Sequence, residues 1–290
     1  MILSMTGYGK ATGSHNDKNF TFEVKSLNSK QSDIFVRMPS VYKEMELPFR
    51  SQVHKKLQRG KIELNLNVES TGAENIQTIN EKAAEKYYHQ ILSLSGKLNI
   101  GQSNILGDLL KLPEVLVAEK PEIDNEEKSF LQNLLEEALD KLNEFRKTEG
   151  DKLYEDFKKR IDIILEKQKT VEQHESARIE AVKNKIIKAL GELGEQKEKD
   201  ENRFEQELIY YLEKLDITEE KVRLQAHCDY FKETMNTDYS QGKKLGFILQ
   251  EIGREINTMG SKANYAQIQK AVVEMKDEME KIKEQMLNVL

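Results

Sequence analysis

Apolar and polar residues alternate three times within the first seventy positions. Phe20, Phe22 and Val24 interleave with Thr21, Glu23 and Lys25, and Ile34, Val36 and Met38 repeat the pattern. Ile62, Leu64, Leu66 and Val68 give the cleanest case, with Lys61, Glu63, Asn65, Asn67 and Glu69 on the other face. A period of two is that of a half-buried strand, and Arg59-Gly60 suits a turn leading into the third one. Residues 40–57 read as helical, with Pro48 expected to bend or interrupt the helix. Asn80 offers an N-cap to a helix reaching about Lys97. Helices at 104–111 and 125–148 flank a short extended piece from Pro113 to Val117. Residues 1–149 are therefore expected to form an α+β domain with a small sheet.

From Gly150 the period lengthens to that of a helix. Leu153, Phe157, Ile161 and Ile164, then Ile179, Val182, Ile186, Leu190 and Leu193, form an intermittent heptad seam in a stretch that is about half charged. Gly191 and Gly194 weaken that helix near its end. Phe204, Leu208, Tyr211 and Leu215 continue the spacing, so residues 150–215 read as a charged helical hairpin or coiled-coil segment. Asp216 or Thr218 can cap the next helix, and residues 216–290 read as a helical C-terminal domain. The last helix carries Ile268, Val272, Met275, Met279, Ile282 and Met286 in unbroken 4-3-4-3-4 order. Such a seam needs a partner helix, from the same chain or from another subunit; heptads specify pairing and not whose helix is paired. The fold class is an α+β N-terminal domain followed by a long, mainly α-helical, coiled-coil-like C-terminal region.

One helix, at 242–264, has two marked faces. Leu245, Leu249, Ile252, Ile256 and Met259 form its apolar seam, and Glu251, Arg254, Glu255 and Thr258 are expected on roughly the opposite side. Carboxylates one turn apart can share a divalent cation, and the arginine between them can clamp a phosphate. The same residues can equally form an intrahelical ladder worth a few tenths of a kcal/mol. Gly260-Ser261-Lys262 reads as the opening of the last helix, with Ser261 as N-cap and Lys262 beside it, a phosphate contact or an ordinary cap. His227 and Asp229 are a further ligand pair, although a lone helical histidine is more often structural or exposed. Cys228 diverges from His227 by about 100° around its helix and is expected to be a small core residue. Glu205 and Glu207 point to different sides of theirs and can serve only singly. Arg59 and Lys61, with Lys25, Lys30 and Arg37, would make a basic patch if the N-terminal strands pair. Only Tyr8, Phe35 and Tyr42 stand near it, which argues against a sequence-specific single-strand platform.

Composition narrows the classes. A net charge of −6 leaves nothing global to draw the chain to nucleic acid or anionic membrane. A charged fraction of 33% with 7% aromatics suits long, surface-rich helices. The one cysteine excludes an intramolecular disulfide and fits a reducing compartment. The N-terminus has no basic, apolar leader and no window approaches the roughly 18 apolar residues of a membrane span. A soluble, cytoplasmic protein is expected. Walker A, GxGxxG, HExxH, CxxC and GxSxG patterns are all missing from the sequence.

Five separated segments together are specific: MILSMTGYGKATG at the start, EVKSLNSK at 23–30, RGKIEL at 59–64, NRFEQEL at 202–208 and GKKLGFILQEIGREINTMGSKAN at 242–264. In that order they resemble the YicC/YloC family of bacterial proteins over the whole chain. The resemblance implies an endoribonuclease that uses a divalent metal, Mn²⁺ or else Mg²⁺, acts in RNA turnover, and assembles as a ring-like hexamer closing on RNA. Matched by position, the family's motif residues are Ser4, Met5, Thr6, Glu23, Ser26, Asn28, Arg59, Gly60, Lys61, Glu205, Glu207, His227, Glu251, Arg254, Glu255, Asn257, Ser261 and Lys262. Within that framework Glu251 and Glu255, with Glu207 or His227 from a neighbouring helix, are the expected metal ligands, and Glu251, Glu255 and His227 the expected catalytic set. Arg59, Lys61, Arg254, Ser261 and Lys262 are the expected RNA contacts. Two positions depart from the family pattern: Gly246 stands where an aspartate is common, and Gly253 where an asparagine is. Were that aspartate a metal ligand, this chain would be impaired or would use another carboxylate. The competing expectation is a non-catalytic oligomeric adaptor or scaffold that binds RNA for a separate nuclease.

Overall fold

The computed structural model describes residues 2–29, 33–57, 60–70, 77–98, 104–118, 123–193, 201–237 and 241–290. The N-terminal part is built from strands β1 (Gly7–His15), β2 (Lys18–Leu27) and β3 (Asp33–Arg37), a 3-10 turn at Ser40–Met45, helix α1 (Glu46–Lys56) and strand β4 (Lys61–Ser70). Four strands pair in the order β1-β2-β4-β3, antiparallel except where β3 runs parallel to β4. The three alternating stretches are β2, β3 and β4. The first strand escapes a hydrophobicity reading because its buried positions are Gly7, Gly9 and Ala11. A Cβ on Gly9 would come within 2.0 Å of the Ala138 carbonyl oxygen, so the supporting helix lies too close for a larger residue. The β1–β2 turn is Asn16-Asp17, both with positive φ (46° and 56°), as a two-residue type I′ hairpin requires. Pro48 interrupts nothing: it lies in the first turn of α1, where an N–H has no intrahelical partner.

A two-stranded ribbon of β5 (Gln77–Ile79) and β6 (Leu116–Ala118) brackets helices α2 (Glu81–Leu98) and α3 (Ile105–Leu109). Asn80 caps α2 as its sequence predicts, its Oδ1 accepting from the Ala83 N–H at 3.2 Å.

Helix α4 (Asn125–Leu193) is one continuous element, so the helix expected to end near 148 runs through Gly150. It changes partners there. Leu131, Leu135, Leu139 and Leu142 pack beneath the sheet, while Phe157, Ile161, Ile164 and Val171 enter a second core. At the crossover a Cβ on Gly150 would meet the Ile2 carbonyl oxygen at 2.1 Å, so glycine lets the N-terminal segment cross the helix. Beyond Val171 the seam loosens: Val182 and Ile186 are half-buried and Ile179 is exposed. Leu212 of helix α5 (Glu201–Lys214) and Leu215 just beyond it share a crevice with Ile179 and Val182 of α4.

The second core lies between α4 and helices α6 (Thr218–Met235), α7 (Gly242–Lys262) and α8 (Ala266–Met286). Each packs against two of the others, α4 with α6 and α8, α7 with α6 and α8, which closes a four-helix arrangement. Ile268, Val272, Met275 and Ile282 of the α8 seam are thereby buried against helices of the same chain, while Met279 and Met286 are half-buried beside a groove with α7. The chain ends are latched: Leu290 donates to Leu3, Met5 to Asn288 and Gly242 to Leu290, all through backbone groups. No described helix is long and apolar enough to cross a membrane.

Candidate functional site

The N-terminal motif residues collect at a structural joint. Ser26 Oγ donates to the Met5 carbonyl at 2.8 Å, and buried Arg146 of α4 donates to Ser26 Oγ and to the same carbonyl. Burial pushes the Arg146 pKa below the ordinary arginine value. Gly60, at φ 119°, closes the other side of the joint, and Asn28 Nδ2 donates to the Leu287 carbonyl. With Ser4, whose N–H donates to the Arg146 carbonyl at 3.1 Å and which bridges to Val289, residues Ser26, Asn28 and Gly60 tie the sheet, α4 and the C-terminus together.

Of the expected basic patch, the described residues Lys25, Arg37 and Lys61 share one sheet, and Lys61 pairs with a carboxylate. The strands do pair, but register places Tyr8, Lys25, Glu63 and Phe35 in one row across the open sheet face, and Lys10, Glu23, Asn65 and Arg37 in the next. Lys10 pairs with Glu23 at 3.2 Å, and Lys61 lies 3.7 Å from Glu63 and over the Phe35 ring. Arg59 and Lys30 lie outside the described residues, as does the side chain of Glu207.

The C-terminal half brings together what the sequence separates. His227 on α6 and Glu251 and Glu255 on α7 each offer a ligand atom, and these atoms all lie within 4.8 Å of one another. Among the described residues no other three His, Cys, Asp or Glu side chains converge in this way. The local reason is the border of the α6–α7 contact. Leu224, Cys228 and Phe231 turn into the core, leaving His227 half-buried at its edge. Ile248, Ile252, Ile256 and Met259 do the same for α7. Glu255 does not share the open face expected for it. It is 5% exposed at the rim of the core facing α6, while Glu251 one turn earlier is open to solvent. Asp229 is exposed and accepts from Gln225, outside the group. Cys228 is fully buried, and burial pushes its thiol up to about 12.

The donor set fits a divalent cation. Ligands 2.0–2.6 Å from a common ion stand at most about 5 Å apart, which this group satisfies. One imidazole nitrogen with two carboxylates is a mixed set open to first-row divalent metals, Mn²⁺ among them.

The cations of α7 part company. Arg254 is exposed and, among the described residues, makes no ion pair with Glu251 or Glu255, so the intrahelical ladder is not formed. Lys262 is already engaged, bonding Glu220 Oε1 at 2.8 Å and the Asp216 carbonyl at 3.0 Å, which fastens the end of α7 to the start of α6. Thr218 in turn holds the Asp216 carboxyl below the usual carboxylate range through its hydroxyl. Ser261 does not cap the last helix. It lies inside α7, its hydroxyl bonded back to the Thr258 carbonyl, and α8 begins only at Ala266.

Neither glycine departure removes a ligand from this cluster. Gly246 lies five residues before Glu251, about 140° around the helix, on the groove side toward α8. Open space surrounds the Cβ it lacks, whereas one on Gly253 would meet Met279 Sδ at 2.7 Å. A carboxylate at 246 would point along the groove and away from His227.

Sequence reasoning missed two lysine–aromatic contacts about one helical turn along α6 and α7 from the cluster. Lys244 Nζ stands 4.8 Å from the centre of the Tyr230 ring, and Lys243 Nζ 6.0 Å from that of Phe247. The available signal was the spacing of Lys244, Phe247, Glu251 and Glu255, which puts a large exposed aromatic on the polar strip.

Residues 2–155 match the family description "Endoribonuclease YicC-like, N-terminal region", and residues 171–290 match "Endoribonuclease YicC-like, C-terminal". The chain is 35% identical over its whole length, and the whole of the relative, to the probable endoribonuclease YicC of Clostridioides difficile. It is 29% identical, again over the full length of both, to the protein of the same name from Haemophilus influenzae.

Proposed function

Since the chain belongs to the YicC-like endoribonuclease family, we propose that it cleaves RNA phosphodiester bonds internally, using a divalent cation held by His227, Glu251 and Glu255. The convergence of those three side chains across α6 and α7 carries the reading. When bound, Mn²⁺ or Mg²⁺ supplies Lewis-acid polarisation of a phosphoryl oxygen and acidifies a water.

The chain's own residues do the rest. Glu255, held at the core rim, is the rigid member of the set; Glu251, open to solvent, is the one that faces incoming substrate. Arg254, exposed three residues after Glu251, is placed to meet a backbone phosphate with its planar guanidinium. His227 serves here as a ligand, which excludes it as the base that would deprotonate a 2′-hydroxyl. An acidic chain can hold RNA this way if assembly gathers its local cations around a channel. Exposed Leu94 and Leu98 on α2, and Ile209, Tyr210 and Tyr211 on α5, support such assembly into a homo-oligomer.

The test is cleavage of labelled RNA with Mn²⁺ or EDTA, followed by end-group analysis. The expected result is metal-dependent cleavage leaving a 5′-phosphate, reduced at least about 100-fold in Glu251→Gln and Glu255→Gln. A 2′,3′-cyclic phosphate product would overturn attack by a metal-activated water. RNA binding without cleavage by the wild-type protein would favour the adaptor.

A further inference from the structure

The end of the cluster toward the α6–α7 turn is lined by two exposed aromatic rings, each with a lysine over it. Tyr230 follows His227 by three residues and Phe247 precedes Glu251 by four, so each ring lies on the same helix face as a member of the cluster, about one turn away. Lys244, from α7, stands over Tyr230 of α6 and precedes Phe247 by three residues, one helical turn, while Phe247 also borders the groove between α7 and α8. Phe247 is 59% exposed and Tyr230 44%, whereas Phe231, next along α6, is fully buried. Neither ring contributes to the helix core.

Large exposed rings beside cations have a recognisable chemistry. Single-stranded nucleic acid is held by aromatic faces that stack bases, with positive charge following the backbone, and this needs no particular sequence because every base has a π-face. A lysine resting over a ring leaves that face to an arriving base and takes up the adjoining phosphate. Resting on the ribonuclease reading of the neighbouring cluster, we propose that Tyr230 and Phe247, with Lys243 and Lys244, form a stacking platform for unpaired nucleotides of RNA. Duplex RNA cannot use it, because its bases stack on one another. The platform directs cleavage to single-stranded or looped segments and makes Tyr230 and Phe247 positioning residues.

Binding in EDTA tests the platform without cleavage. Fluorescence anisotropy of the full chain is measured with a labelled single-stranded RNA, the same strand carrying abasic sites, and a blunt duplex. Phe247→Leu and Tyr230→Leu keep apolar bulk and remove the aromatic face. Each is expected to weaken single-strand binding about tenfold while leaving abasic-strand and duplex binding unchanged; Phe247→Tyr should retain wild-type binding. Equal losses on the abasic strand, or no loss on any strand, would overturn the proposal. So would a wild-type chain that does not bind the single strand, or a fall in mass by sedimentation in the Leu variants, which would make the rings a subunit contact. Wild-type protein that shows the binding pattern yet never cleaves would refute the ribonuclease reading and leave the platform standing. Cleavage by wild type with unchanged binding in both Leu variants would do the reverse.

Discussion

Lys262 and Glu251 look alike in the sequence, two charged residues of one helix, but their surroundings give them different work. Glu251 faces solvent beside His227, while Lys262 neutralises Glu220, which is 5% exposed and whose second oxygen, Oε2, is buried without a partner. Lys262→Met should therefore lower stability by about 1–3 kcal/mol and leave RNA affinity unchanged; Glu220→Gln in the same chain should recover much of the loss. Denaturation and anisotropy check both arms. Cys228 gives a pH test. An unfolded thiol titrates near 8.5, but burial pushes this one up to about 12. Above about pH 8.5 the unfolded state holds fewer protons, so stability falls as pH rises. At pH 10 that loss should reach about 2 kcal/mol, measured as the extra pH dependence of wild type over Cys228→Ala. At this scale the carboxylate pair was legible from its spacing and from the family motif. The burial of Glu255 was not, because a two-face reading assigns no residue to the border between faces, and the border is where the cluster forms.

Elements were legible where large apolar residues carry their period. β2 and β4 announce themselves through phenylalanine, valine, isoleucine and leucine; β1 buries glycine and alanine instead, since α4 crosses it at backbone distance. Gly9→Ala should accordingly cost at least about 3 kcal/mol, a large fall in midpoint on chemical denaturation. Gly246→Ala is the opposite case, a helical glycine whose Cβ would meet nothing. It should raise stability by up to about 1 kcal/mol and leave metal affinity unaltered, because position 246 faces the α8 groove. The change of composition at Gly150 also proved readable in part. It marks where α4 passes from one core to the other, although the helix itself does not end there.

Across the whole molecule, α4 spans both cores and the chain ends clasp the same region. Leu290 donates to Leu3 and Met5 to Asn288 through backbone groups, and the Leu290 carbonyl receives the Gly242 N–H at the start of α7. Sequence periodicity could not reveal this latch, which uses backbone groups alone. It connects the sheet domain with the helix that carries Glu251 and Glu255, and its removal would loosen both. The proposed chemistry depends on that helix holding metal. Titration of the purified chain with Mn²⁺, followed by the loss of the free-ion paramagnetic resonance signal, tests this most directly. One Mn²⁺ per chain is expected, weakened at least about tenfold in Glu255→Gln and in His227→Ala with the fold retained by circular dichroism. Equal Mn²⁺ affinity in wild type and both variants would contradict it.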